Sequence, residues 1–157
     1  MNIKYLFNLE NLNSVLSDKY FPNESISFEE ISQLEQTYNK GNTFPKVLQE
    51  YLSIAGKYSP VIDKGIFSTQ QELQEFVREE LSDNGKFFTR PFFALEVYSG
   101  DWCMFIYLDE GDNPNLHCVY YDDEAAGLSQ PLKKMDHTIS SLINSRIQRI
   151  KENINPY

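Results

Sequence analysis

The chain is short of the residues that usually announce chemistry. It has two cysteines, two histidines and one tryptophan in 157 residues. Cys103 and Cys118 lack the CxxC spacing of a metal or redox motif and fall inside apolar runs. Reduced, buried thiols are therefore expected, with no disulfide framework. No apolar run approaches the 18 residues of a membrane span. The segment from Met1 to Asn8 has one basic residue and neither the long apolar region nor the cleavage site of an export signal. A cytoplasmic location away from membranes is the expectation. Basic residues are also scarce, 14 against 23 acidic, for a net charge of −9. That balance argues against nucleic-acid or anionic-membrane binding and favours a basic partner.

Recognisable catalytic patterns are missing too. The chain has no Gly-x-Ser-x-Gly, no phosphate loop and no dinucleotide fingerprint. His117 and Cys118 are adjacent, so on a strand they face opposite ways and cannot share one ion. The acidic loop from Asp109 to Asn113 has Gly at its third ligand position and Tyr120 where a calcium loop needs Glu. Asp101 and Asp122 could pair as acid and base, but carboxylates on turns are solvated and hold ordinary proton affinities. No enzyme activity, cofactor or metal is expected.

What the chain does have is concentrated between Pro91 and Leu132. These 42 residues contain no Lys or Arg and eight carboxylates: Glu96, Asp101, Asp109, Glu110, Asp112, Asp122, Asp123 and Glu124. Three apolar runs lie between them. The middle one, Trp102 to Leu108, is apolar at every position and predicts a central strand buried on both faces. The turns from Tyr98 to Asp101 and from Asp109 to Asn115 carry the Gly, Asn, Asp and Pro that reversals need, giving a three-stranded antiparallel meander over about 91–122.

Helices flank it. Residues 1–25 form an N-terminal segment in which Leu9, Leu12, Val15 and Leu16 suggest a short helix, and Pro22 to Ser25 breaks the chain. A helical pair follows over 26–56. Its first member starts at Ser27 with Glu30 closing a capping box and Ile26 stapled to Ile31, and it ends at Asn39-Lys40-Gly41. Thr43 is expected to cap the second, which opens at Phe44-Pro45 and stops at a left-handed Gly56. Tyr58 to Phe67 reads as a loop or edge strand. Ser68 to Gln71 then starts a helix over 68–82, whose acidic outer face (Glu72, Glu75, Glu79, Glu80) reads as a solvated surface. The sheet occupies 86–122. After a loop at Gly127 to Pro131, Asp136 is expected to cap a closing helix over 137–154. The order helices, meander, helix defines a single α+β domain, a twisted and mostly antiparallel sheet flanked by helices, large enough to bury roughly 70% of its unfolded surface.

Ile31, Leu34-Glu35, Phe44-Pro45, Tyr51-Leu52 and Gly56 resemble the front of the SUKH superfamily, which includes a yeast cell-wall assembly regulator and many bacterial immunity proteins. There a helix with an Ile...Leu-Glu core leads to a Leu-Pro pair, then Phe-Leu and Gly-Gly. Phe44 replaces the Leu, and Ala55-Gly56-Lys57 stands for Gly-Gly. Gly100-Asp101, Asn113-Pro114 and the helix from Ile139 to Ile154 are similar to that superfamily's later part. The resemblance implies a non-enzymatic α+β binding protein. It also implies neutralisation of a cognate toxin, often a nuclease or deaminase, in the cell that makes it. It carries over no functional residue.

Asp101, Asp109, Glu110, Asp112, Asp122, Asp123 and Glu124, with Tyr121 as a surface anchor that the partner would bury, are therefore the candidate partner-binding residues. The expected partner is a basic, nuclease-type protein toxin whose nucleic-acid cleft an acidic surface can occupy or screen. A non-enzymatic intracellular scaffold or regulatory module is the alternative. A monomer is favoured, with the oligomeric state open.

Overall fold

The computed structural model describes residues 2–122 and 132–157. In chain order these form α1 (Phe7–Glu10), a 3-10 turn (Leu12–Ser14), α2 (Phe28–Tyr38), α3 (Lys46–Ala55), α4 (Gln70–Asp83), β1 (Phe92–Tyr98), β2 (Trp102–Tyr107), β3 (Asn115–Tyr120), β4 (Leu132–Thr138) and α5 (Ile139–Lys151). The four strands make one antiparallel sheet in sequential order. It is a single α+β domain.

The sheet is buried from both sides because its strands are apolar on both. Phe93, Leu95, Met104, Ile106 and Leu116 pack with α1, α2, α3 and α5. Phe92, Ala94, Cys103, Phe105, Tyr107 and Val119 pack with Leu73, Val77 and Leu81 of α4. Each fully buried Leu, Phe or Met contributes about 1.5–3 kcal/mol. The run from Trp102 to Leu108 therefore has to be central, and β2 lies between β1 and β3.

A β-bulge between Ala94 and Glu96 decides the fate of one carboxylate. Regular alternation would put Glu96 on the α4 side with Ala94. The extra residue reverses the alternation, so Val97 joins the α4 side and Tyr98 the other. Glu96 is thereby aimed at α5, where Arg146 meets it with two guanidinium nitrogens, one of them 3.0 Å from Oε2. The Asp63 N–H donates to Glu96 Oε1 at 2.8 Å, the Tyr98 hydroxyl donates to Oε2, and Arg146 also donates to the Val61 carbonyl at 2.8 Å. The pair is 1% and 7% exposed.

Side chains close what the backbone leaves open. Gln74 of α4 donates to the Ala94 carbonyl and accepts its N–H, both at 2.8 Å, while Arg78 donates to the Phe92 carbonyl at 2.8 Å. The outer edge of β1 is thus occupied by helix side chains and blunted against pairing with another strand. The fully buried Glu50 carboxylate accepts the N–H groups of Lys4, Tyr5 and Leu6 at 2.7–3.0 Å, tying the N-terminal segment to α3. Glu35 accepts the Phe44 N–H at 2.8 Å and so sets the start of α3 relative to α2.

Several local expectations are corrected. The capping box of α2 uses Ser27 and Glu30 as read, and Lys40 and Gly41 take the left-handed conformation that ends the helix (φ 55° and 79°). Pro45 occupies the cap position of α3 without any side-chain bond, so Thr43 is not its cap. Gly56 is right-handed at φ −66°. Glycine is needed there for space, since an added Cβ would lie 2.6 Å from the Leu52 carbonyl oxygen and 3.0 Å from the Ile26 side chain. The box of α4 is Thr69 with Glu72, one residue beyond the expected one. Between Tyr58 and Phe67 there is a single bridge, Tyr58 to Glu24, and no strand. Val15 is exposed, and the N-terminal helix divides into α1 and the 3-10 turn.

The largest correction is β4. Residues 132–138 pair with β3 as a fourth strand, so Asp136 is a strand residue and Thr138 caps α5, which ends at Lys151. The run Leu132-Lys133-Lys134-Met135-Asp136-His137-Thr138 lacks apolar alternation because this edge strand is largely exposed. Pairing with β3, a long-range event, makes it a strand. The loop expected at Gly127 to Pro131 lies outside the described residues.

Candidate partner-binding surface

The meander divides the candidate residues between the two ends of the sheet. Asp101 and Asp122 lie at the end where β2 begins and β3 finishes, joined by a Tyr121 N–H bond to the Asp101 carbonyl at 2.9 Å. Asp109, Glu110 and Asp112 follow the far end of β2. Six strand residues at about 3.3 Å each separate the groups by about 20 Å. Asp123 and Glu124 lie outside the described residues.

The far group is largely neutralised by residues that the local sequence does not contain. Arg90 donates to both carboxylate oxygens of Asp109, with Nε at 3.0 Å from Oδ2 and Nη2 at 2.5 Å from Oδ1, and it also reaches Glu110 at 3.1 Å. Its guanidinium lies 3.9 Å over the Tyr107 ring. The bidentate contact holds the Asp109 carboxyl below the usual carboxylate range. Glu110 also bonds His117 at 3.2 Å, and Lys4 approaches Asp112 at 3.4 Å.

The near group meets α4. Glu80, Asp101 and Asp122 line a shallow notch of about 470 Å³ with Asn84 and Tyr120. Among the described residues the Glu80 and Asp101 carboxylates have no ion-pair partner. Lys86, which bonds the Tyr121 carbonyl, offsets part of the charge. Beyond the notch the outer face of α4 continues with Glu75, Glu79 and Asp83, all exposed. These three succeed one another at i, i+4 spacing, and no basic residue occupies the last turn. Like charges at that spacing and carboxylates at a helix C-terminus both oppose helix formation, by a few tenths to about 1 kcal/mol each. The acids thus stand where folding alone disfavours them. In the sequence this helix face reads only as a solvated surface, because nothing local shows that Glu80 adjoins Asp101 and Asp122.

Tyr121 is not a surface anchor. It is 2% exposed, edge-on to Phe76 at 6.4 Å in the core beneath α4. Burial raises the proton affinity of its hydroxyl, as does the Cys103 thiol beside it, and burial pushes that thiol up to about 12. Tyr120, which with Tyr121 borders the notch, ends a cross-strand ladder in which Tyr98 stacks on Trp102 at 3.9 Å and Trp102 on Tyr120 at 5.7 Å.

Both cysteines are free thiols. Among the described residues no group of three or more His, Cys, Asp or Glu side chains is arranged to hold a metal ion, and no helix is long and apolar enough to cross a membrane. Compared with models of known protein families, with curated proteins and with solved structures, the chain matches none.

Proposed function

We propose that the protein is a non-enzymatic binding module that neutralises a basic protein toxin in the manner of an immunity protein, through the acidic tract running from the outer face of α4 into the Asp101 notch. One observation carries this reading. Glu75, Glu79, Glu80 and Asp83 are collected at positions that cost the helix stability, and Glu80 carries this tract into the notch it shares with Asp101 and Asp122. A surface that folding disfavours and a basic partner would favour is the electrostatic signature of a recognition face. The resemblance to the SUKH superfamily supports the same reading and supplies the toxin as the class of partner. A nuclease-type toxin fits because its own cleft must be basic to hold nucleic acid.

Co-expression with the product of the adjacent gene tests it. Rescue of host growth and co-purification of a complex are expected. With that complex in hand, the quadruple variant Glu79→Gln, Glu80→Gln, Asp83→Asn, Asp101→Asn should associate about tenfold more slowly at low salt, and the difference should shrink as salt rises. The same variant should melt no lower than the parent. An unchanged on-rate across salt concentrations would remove the acidic tract from recognition. Failure to rescue or to form a complex would remove the toxin.

A further inference from the structure

We infer that a second surface, an aromatic ridge made by Tyr58 and Tyr157, joins two copies of this chain in a two-fold dimer. Phe21, Tyr58 and Tyr157 are 75%, 37% and 48% exposed, and Phe21 packs edge-on against Tyr58 at 6.2 Å. Tyr58 and Tyr157 form a shared wall between two shallow hollows. One, of about 360 Å³, has Lys19 on its rim, and the other, of about 440 Å³, has Asp63. Contiguous exposed aromatics between charged rims mark protein contacts.

The ridge is held in place before any partner arrives. Tyr58 exchanges both backbone bonds with Glu24, at 2.9 and 3.1 Å. The Tyr157 hydroxyl donates to the Pro60 carbonyl at 3.1 Å, and its ring lies 4.8 Å from the Arg146 guanidinium. Little ordering is left to oppose association.

Charge selects the partner. The exposed charges around the two hollows are Lys19, Lys57, Glu24 and Asp63, and Lys57 already pairs with Glu24 at 2.6 Å. On a chain of net charge −9 this face is electrically balanced, so it is where two identical acidic molecules repel each other least. A two-fold axis through the Tyr58/Tyr157 ridge exchanges the hollows and brings Lys19 of each copy over Asp63 of the other, a self-complementary arrangement. The three rings offer about 300 Å² of apolar area, below the ~800 Å² per side of a standard interface. The dimer is accordingly weak, and none of Glu75, Glu79, Glu80 and Asp83 of α4 lines either hollow.

Sedimentation velocity of the full chain over about 1–500 µM tests the inference by following this association. Dimer should accumulate across the range for the parent. Lys19→Glu and Asp63→Lys, both at exposed positions, should each shift the midpoint at least tenfold higher by placing like charges opposite each other. An equimolar mixture of these two variants should regain the parental midpoint, because every cross-pair is then opposite in sign. Tyr58→Ser should abolish the dimer. A parent that stays monomeric throughout, or charge variants that dimerise as well as the parent, would overturn the inference. A mixture that fails to regain association would overturn the two-fold pairing of Lys19 with Asp63.

Discussion

Replacing Arg146 with Met should be among the most damaging single substitutions in this fold. The guanidinium is 7% exposed and faces a carboxylate that is 1% exposed. It also satisfies the Val61 carbonyl and the Tyr98 hydroxyl oxygen. Met fills much of the volume but leaves Glu96 buried with only the Asp63 N–H and the Tyr98 hydroxyl to hold its charge. Removing one partner of a buried pair costs about 3–5 kcal/mol. For a chain of this length that lowers the melting temperature by about 6–20 °C, and it lowers a urea midpoint by roughly 1.5–2.5 M at an m-value of about 2 kcal/mol/M. Equilibrium urea unfolding followed by Trp102 fluorescence reads this directly. The double variant Glu96→Leu, Arg146→Met should lose less than Arg146→Met alone, since it no longer strands a charge, although the Asp63 N–H loses its acceptor at a cost of about 1–3 kcal/mol. A loss under about 1 kcal/mol for Arg146→Met would refute the argument. So would a double variant clearly worse than the single, and either result would mean that Glu96 is accommodated without its cation.

The remaining predictions concern the thiols, the Arg90 clamp and the helix caps. Cys103, buried with its thiol pushed up to about 12, should react with a thiol probe only at the rate of unfolding, and half-buried Cys118 should react first; equal rates in native protein would contradict the packing. The folded Asp109 carboxyl is depressed, so its contribution is present above the unfolded value near pH 4 and is lost as pH falls through the folded value. Because Arg90 and Asp109 are both more than a third exposed, that contribution is under about 1 kcal/mol. Arg90→Gln should flatten the pH dependence of stability below about pH 4, as measured by urea midpoints. Ser27→Ala and Thr69→Ala each remove a capping side chain and should cost about 1 kcal/mol apiece in thermal melts, whereas Thr43→Ala, which caps nothing, should cost a few tenths at most.

Local chemistry was enough to locate the helices and the first three strands. The capping box at Ser27, the stripes of α2, α3 and α4, and the uninterrupted apolar run of β2 each depend on neighbours within a few residues, so their meaning survives in one dimension. The central place of β2 also follows from sequence, because a strand apolar on both faces has nowhere else to go. Charge counted along the chain is not the charge of the folded surface. A stretch of 42 residues without one Lys or Arg is acidic along the chain, yet Arg90, Lys4 and Arg146 reach it from outside and neutralise or bury four of its eight carboxylates. One inserted residue in β1 moved Glu96 from the α4 face of the sheet to the face where Arg146 meets it. Antiparallel pairing sent Asp101 and Asp109 to opposite ends, and it made a strand of Leu132 to Thr138, whose composition names no structure. The acidic tract on α4 was visible as a pattern, but its junction with Asp101 and Asp122 was not. Pairing, register and the approach of residues distant along the chain are set by packing free energy summed over the whole domain, and no window of neighbouring residues contains that sum.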